Sequence, residues 1–191
     1  GKSGEMNVSY ENYFGFQRVN ERVDMLNGGE YLQVLSDINV EGGGAILSTP
    51  SEISAMGEGY DWQDLIFRSS LIQNHQVTMD GGSDTSNYYV SLNHLRNEGV
   101  IRESGEKKYN ARINYGLTPN EKVSINLNLS INRSEVDNVK MGRATNEGVG
   151  VLAAALLFDP IIGPEANSEG YYDINPLVAI ENPEAILQGW D

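Results

Sequence analysis

Apolar and polar residues alternate strictly along residues 121–133 of this chain, which read EKVSINLNLSINR. Every second position from Val123 to Ile131 is aliphatic, and the positions between them are Ser or Asn. Because successive side chains of a β-strand point to opposite faces, the pattern predicts a strand at 122–133 with one apolar and one polar face. The polar face carries almost no charge, which is unusual for a strand that faces bulk solvent.

Four further segments alternate in the same way and predict strands at 6–17, 74–82, 87–98 and 108–118. The turn sequences SDTS (83–86) and PNE (119–121) join strands two to three and four to five. Much longer segments, 18–73 and 134–191, follow strands one and five, and 97–107 is intermediate. In an up-and-down antiparallel sheet, this order places the short turns at one end and the longer connections at the other.

The long connections contain helical patterns. Asn27 precedes Glu30 by three residues, which predicts a capping box at the start of an amphipathic helix. Asp61 and Asp64 stand ahead of Leu65 and are interpreted as helix-capping residues rather than as a catalytic pair. Residues 146–158 predict a third helix that ends before Pro160.

Two architectures fit an alternating sheet of this kind. Strands of ~9–11 residues with apolar and uncharged polar faces are typical of transmembrane β-barrels. A secreted or surface-anchored soluble β-sandwich that binds glycans is the alternative, because its strands also alternate. Since barrels have at least ~8 strands, five strands would be a segment of a larger barrel. The polar face would then line the lumen, with these residues facing inward: Asn110, Arg112, Asn114, Asn126, Asn128, Ser130 and Asn132.

Composition narrows the possible functions. The 191 residues carry a formal net charge of −14, which argues against a nucleic-acid partner. There is no Cys and there are only two His residues, so we expect no metal site, no cofactor and no catalytic cluster. A glycoside hydrolase fragment is a weaker alternative, because no spacing selects a pair of carboxylates. The sequence therefore predicts a protein that is not an enzyme.

Aromatic residues in the long connections are candidates for ligand binding. Trp62, Tyr171 and Tyr172 could stack on sugar rings, and Asn175 joins them as a polar loop candidate. The alternative is that these aromatic side chains pack the loop helices. His75 is interpreted as a hydrogen-bonded structural residue at the start of a strand.

An ordered series of motifs extends over most of the chain. It comprises GKSGEMNVSYENYFGFQ at the start, ERVDMLNGGEY (21–31), YNARIN (109–114) and NPLVAIEN (175–182). Between them, residues 61–101 contain WQD, NH, GGS, Tyr88 and Gly99 in a characteristic order. With these motifs the chain resembles the SusC/RagA-type TonB-dependent outer-membrane transporters of Bacteroidetes.

The resemblance implies an all-β fold, an antiparallel up-and-down transmembrane barrel of about 22 strands filled by an N-terminal plug. It implies that residues 1–5 end the plug, that 6–133 form the first five barrel strands with a helical loop at 18–73, and that 134–191 form a long extracellular loop. It further implies import of oligosaccharide or peptide solutes through the bacterial outer membrane, in contact with its lipid. A SusD-like surface lipoprotein would cover the barrel, and TonB would act through a part of the protein outside this chain.

Overall fold

Five antiparallel strands form one sheet in the order β1-β2-β3-β4-β5. The computed structural model describes residues 4–140 and 149–189. The strands are β1 Gly4–Gln17, β2 Ser70–Gly82, β3 Ser86–Glu98, β4 Gly105–Asn120 and β5 Val123–Asp137. Each strand pairs with the next one along the chain. The predicted sequential antiparallel sheet, the fold of a barrel segment, is confirmed.

All five strands are longer than the alternation predicted, and β2, β4 and β5 differ most. β2 begins at Ser70 rather than at residue 74, because Leu71 and Ile72 pair with Phe16 and Gly15. It follows that His75 lies inside this strand and not at its start. β4 begins at Gly105, and β5 continues to Asp137. The connection between β3 and β4 therefore shortens to residues 99–104.

The aliphatic row of β5 is exposed over its whole length. Its five side chains, Val123, Ile125, Leu127, Leu129 and Ile131, are between 42% and 58% exposed. A soluble sandwich would bury such a row against a second sheet. The described residues contain only this one five-stranded sheet. The described residues therefore do not show the buried aliphatic row that the sandwich alternative requires.

A second compact unit is formed by residues 18–68, by 101–103 and by the described residues from 138 onward. It holds the helices α1 Gly28–Glu41, α2 Pro50–Met56, α3 Trp62–Ile66, α4 Val151–Leu157 and α5 Pro183–Gln188. The helix predicted at 146–158 corresponds to α4, and residues 146–148 lie outside the described residues. α2 and α5 were not predicted.

The hydrophobic core of this second unit joins α3, α4 and α5. Ile66, Val151 and Ala154 have no exposed surface, and Trp62 lies among them. Arg102 crosses between two of the helices, since its guanidinium donates to Leu65 O at 2.9 Å and to both carboxylate oxygens of Glu184 at 2.9 and 3.1 Å. Such a two-pronged Arg–carboxylate contact fixes orientation as well as distance.

No helix within residues 4–140 and 149–189 has both the length and the apolarity that a membrane crossing demands.

Candidate functional site

The residues predicted to face a lumen share one face of the sheet. Asn110, Arg112 and Asn114 on β4 stand directly opposite Asn132, Ser130 and Asn128 on β5. Asn126 lies opposite Gly116 on the same face. The register therefore brings all seven predicted positions together, although their contact with a lumen stays a prediction.

Side-chain amides link neighbouring strands across this polar face. Asn110 Nδ2 donates to Asn93 Oδ1 at 3.2 Å, and Asn93 Nδ2 donates to Asn74 Oδ1 at 2.8 Å. One strand further, the hydroxyls of Ser9 and Thr78 lie 2.5 Å apart. These bonds hold uncharged donors and acceptors at fixed positions.

Arg112 is a charged residue among these Asn and Ser side chains. Together with Gln76, Tyr89, Ser91 and the neighbouring Asn and Ser residues, it lines a cavity of about 400 Å³ on the polar face. Its side chain is exposed, and within the described part of the chain its guanidinium makes no ion pair. A guanidinium offers five fixed donors, so it can bind carboxylate, hydroxyl or carbonyl oxygens.

A larger pocket of about 970 Å³ lies within the second unit. Its wall combines aliphatic residues, among them Leu26, Leu156 and Leu177, with the acidic residues Asp24 and Glu58. Tyr31, Tyr60 and Trp62 also line it. The combination suits an amphipathic occupant rather than a strictly polar one.

The first turn of α1 is held against one side of this pocket by backbone contacts. Gly28 N donates to Glu58 O and Gly29 N donates to Gly57 O, both at 2.8 Å. Gly59 has a φ of +65°, and a Cβ there would lie 2.4 Å from Pro160 O. Only glycine fits both the conformation and the space at that position.

The helix starts around the pocket are capped as the sequence predicts. Asn27 Oδ1 accepts from Glu30 N at 2.9 Å, and Glu30 Oε2 accepts from Asn27 N at 3.0 Å. Asp61 accepts from Gln63 N and Asp64 N at the start of α3. Asp64 also pairs with Arg22. The interpretation of Asp61 as a capping residue is confirmed, whereas Asp64 lies in the first turn of α3 without a capping bond from its own side chain.

Trp62 packs inside the second unit. Its side chain is only 3% exposed and meets Phe158 edge to face, with ring centroids 5.0 Å apart. Its Nε1 donates to Asp159 O at 3.2 Å. Since a sugar ring stacks on an accessible aromatic face, Trp62 is not available for the stacking role proposed for it, and it packs α3 against α4.

Asn175 is buried in the same unit and hydrogen-bonds to several of its segments. It is 1% exposed, and its Nδ2 donates to Leu157 O at 3.0 Å and to Asp159 Oδ1 at 2.8 Å. Its Oδ1 accepts from Leu177 N at 2.9 Å and Val178 N at 3.3 Å. With its amide fully used inside the protein, Asn175 is not free to bind a solute, contrary to the sequence-based prediction.

Tyr171 and Tyr172, the two adjacent tyrosines between α4 and α5, differ in exposure. Tyr171 is 61% exposed, and its backbone N donates to Asn167 Oδ1 at 3.0 Å in a tight turn. Tyr172 is half-buried. Tyr171 is therefore the loop aromatic whose ring is accessible, and its contact with a solute stays a prediction.

Tyr31 and Asp159 form a polar contact that the sequence did not reveal. Tyr31 Oη donates to Asp159 Oδ1 at 2.5 Å across 128 positions of the chain. Burial raises the pKa of the Tyr31 phenol well above its ordinary value, and the hydrogen bond and the charge of Asp159 raise it further. Asp159 thereby joins α1, Trp62 and Asn175.

His75 lies on the apolar face of the sheet, where its Nδ1 is hydrogen-bonded to Tyr10 Oη at 2.7 Å. Across the described ranges, no group of three or more His, Asp or Glu residues is arranged to hold a metal ion.

In sequence the chain is similar to TonB-dependent receptors. The chain is 32% identical over 189 residues to the TonB-dependent receptor P3 of Formosa agariphila, covering 95% of the chain and 17% of that receptor. It is 27% identical over 192 residues to the TonB-dependent receptor SusC of Bacteroides thetaiotaomicron, covering 96% of the chain and 18% of that protein. The chain thus spans less than a fifth of these relatives. No family model matches it.

Structural comparison agrees with the sequence relatives. A chain of the RagAB peptide importer in its open-open state superposes with a TM-score of 0.70 at 19% identity, covering 96% of this chain and 24% of that one. The closed-closed state of the same importer gives 0.68 at 18% identity. At this identity the likeness concerns the fold. Together with the sequence relatives it confirms the resemblance to a segment of SusC/RagA-type TonB-dependent transporters, over nearly the whole of this chain.

Proposed function

We propose that this chain is part of a TonB-dependent importer of the bacterial outer membrane that passes oligosaccharide or peptide fragments through its barrel. The two unlike faces of the five-stranded sheet are the observation that carries the proposal. Along residues 123–132 of β5 one face is aliphatic and exposed, as contact with lipid requires, and the other carries uncharged Ser and Asn. The protein would bind and pass its solute without making or breaking a bond.

The chemistry of the polar face suits neutral, strongly hydrogen-bonding solutes. Asn, Gln and Ser side chains offer donors and acceptors that match both sugar hydroxyls and peptide groups. Arg112 adds one cation without an acidic partner among the described residues. These groups support glycans and peptides equally, so the proposal includes both classes.

The second unit would receive a surface partner, a SusD-like lipoprotein. Several of its aliphatic side chains are exposed, including Ile46, Leu47 and Ile174. Exposed apolar surface of this kind often marks a protein interface. Energy would come from TonB through a part of the protein outside this chain.

Uptake measurements on the full-length transporter test the proposal. We expect deletion of its gene to abolish uptake of either labelled oligosaccharides or labelled short peptides, and loss of TonB to have the same effect. The replacement of Asn110 and Asn132 by Leu should lower uptake while the transporter still reaches the outer membrane. Ile131→Val, on the other face, is the matched control. Unchanged uptake of both solute classes in the deletion strain would refute the proposal.

A further inference from the structure

Aromatic and imidazole rings form a continuous row across the apolar face of the sheet. Tyr10 stacks on His75 with ring centroids 6.1 Å apart, His75 stacks on His94 at 6.3 Å, and His94 stacks on Tyr109 at 4.8 Å. His75 is the cross-strand partner of His94, and His94 that of Tyr109. The row therefore runs at one level across β2, β3 and β4, and Tyr10 joins it diagonally from β1, where its direct partner is Val77. Rings at this position are typical of the interface between the apolar core of a membrane and its headgroups.

The position of the row identifies the leaflet. It lies toward the end of the strands from which the longer connections leave, opposite the short turns at 83–85 and 121–122. In bacterial barrels short turns face the periplasm and long loops face outward. On the outer-membrane localisation proposed above, this row marks the outer leaflet.

Three cations lie next to one end of this row, on the same face of the sheet. Arg96 and Lys107 are direct cross-strand partners one step beyond His94 and Tyr109. Arg133 is the partner of Tyr109 on β5. Arg96 and Lys107 are a direct pair, with Cβ atoms about 5 Å apart. Arg133 is a diagonal neighbour of Lys107, about 7–8 Å away, so the three long side chains can reach one ligand. Such a cluster stands out in a chain with a net charge of −14.

The charges of this cluster are only partly compensated. Arg96 Nη2 lies 2.8 Å from Glu98 Oε1, and Arg133 Nη2 lies 2.6 Å from Glu135 Oε1. Each pair occupies one nitrogen of a guanidinium that carries five donors, and exposed pairs of this kind contribute little to stability. Lys107 stands directly opposite Glu135 on β5, but it forms no ion pair with any of the described residues. Donors therefore remain for an anion that approaches from the membrane.

We propose that Arg96, Lys107 and Arg133 dock the phosphorylated headgroup of a glycolipid in the outer leaflet. Guanidinium and ammonium groups bind phosphate oxygens by charge-assisted hydrogen bonds. Cations just outside an apolar band attract anionic lipid headgroups. The His94 and Tyr109 rings lie beneath the sugar of the headgroup, and its acyl chains extend over the aliphatic row of Leu92 and Ile131. The site holds a lipid against the barrel wall and is separate from the solute path on the other face.

Lipid binding to the purified full-length transporter tests this site. The probe is phosphorylated lipid A in detergent, and the variant carries Arg96→Gln and Lys107→Gln. We expect its affinity to fall about tenfold, with a weaker dependence on salt, because charge-assisted contacts and attraction to the headgroup are lost. Lys108→Gln is the matched control, since Lys108 lies next to Lys107 but on the polar face. It should bind lipid A as the unaltered protein does.

Further binding measurements show which part of the lipid the cluster recognises. Lipid A stripped of its phosphates should bind the unaltered protein as weakly as intact lipid A binds the variant. Equal binding of both lipids, or equal binding by the variant, would overturn the proposal. Competition by inorganic phosphate as strong as by lipid A would assign the cluster to a free anion instead.

Lys107→Arg should retain binding, and Lys107→Gln alone leaves both Arg–Glu pairs intact if the double variant fails to fold. Fractionation of the outer membrane checks localisation independently.

Discussion

The hydrogen bond from Tyr31 to Asp159 stabilises the second unit, and its contribution to stability should depend on pH. The raised pKa of the Tyr31 phenol means that the folded protein favours the protonated form. The stabilisation is therefore fully present below the ordinary phenol pKa of about 10 and is lost as the pH rises above it. Tyr31→Phe removes the donor to buried Asp159 and should cost roughly 1–3 kcal/mol at neutral pH.

Two measurements on the full-length transporter check this expectation. Limited proteolysis at neutral pH should cut the segment around α1 faster in Tyr31→Phe than in the unaltered protein, and the difference should shrink above pH ~10. Ultraviolet difference titration should show one tyrosinate fewer in the variant, and only at strongly alkaline pH. Tyr171→Phe, in an exposed turn, is the control and should leave proteolysis unchanged. Equal proteolysis of all three proteins would contradict the role of the Tyr31–Asp159 bond.

Residue-level roles were the hardest to predict from sequence. Trp62 and Asn175 read as ligand candidates because Trp and Asn are common in binding loops. Their actual contacts are with Phe158 and Asp159, and the Trp62 bond spans 97 positions of the chain. A local pattern contains no information about such long-range packing. The seven polar-face residues were predicted correctly as a set sharing one face, because alternation alone decides the face of a strand side chain.

Strands and helices were predictable to the extent that their signal is local. Alternation located all five strands but missed Ser70 to Gln73, where the pairing partner on β1 decides the start. α2 was missed although its signal is in the sequence. Thr49 and Glu52 form a capping box around Pro50, a pattern that marks a helix start. α5 starts in a similar way, with Asn182 capping ahead of Pro183.

The two faces of β5 give a prediction at the scale of an element. Leu129 lies on the aliphatic face opposite Ile113, midway along the strand, whereas Asn128 lies on the polar face opposite Asn114. Leu129→Arg in the full-length transporter should destabilise the barrel by roughly 2–4 kcal/mol, the cost of Arg at the bilayer midplane. Asn128→Arg should be tolerated far better, because its side chain can reach water. The measurement is the amount of folded, heat-modifiable protein in outer-membrane preparations. Similar losses for both variants would refute the assignment of the faces.

At the scale of the whole molecule, the sheet is incomplete by itself. The outer edges of β1 and β5 pair with no other strand among the described residues. Open edges of this length are sites for further pairing. The chain also spans only 17% to 18% of its curated relatives and 24% of the solved importer chain. The remaining strands of a barrel are therefore expected to supply the neighbours of β1 and β5.

The partner proposed for the second unit can be tested by replacing one loop. Residues 165–174 include the exposed Tyr171 and Ile174, and they end just before Asn175. Because Asn175 holds Leu157 and Asp159 in place, it must be kept, so that the core survives the change. We expect a Gly/Ser linker at 165–174 to reduce co-purification of the SusD-like lipoprotein from membranes and to lower solute uptake. The matched control replaces only residues 165, 166 and 169 by Gly or Ser, which keeps Asn167, the turn it holds and both exposed side chains, and it should retain the lipoprotein. Undiminished recovery with the longer linker, together with unchanged uptake, would show that this loop has neither role.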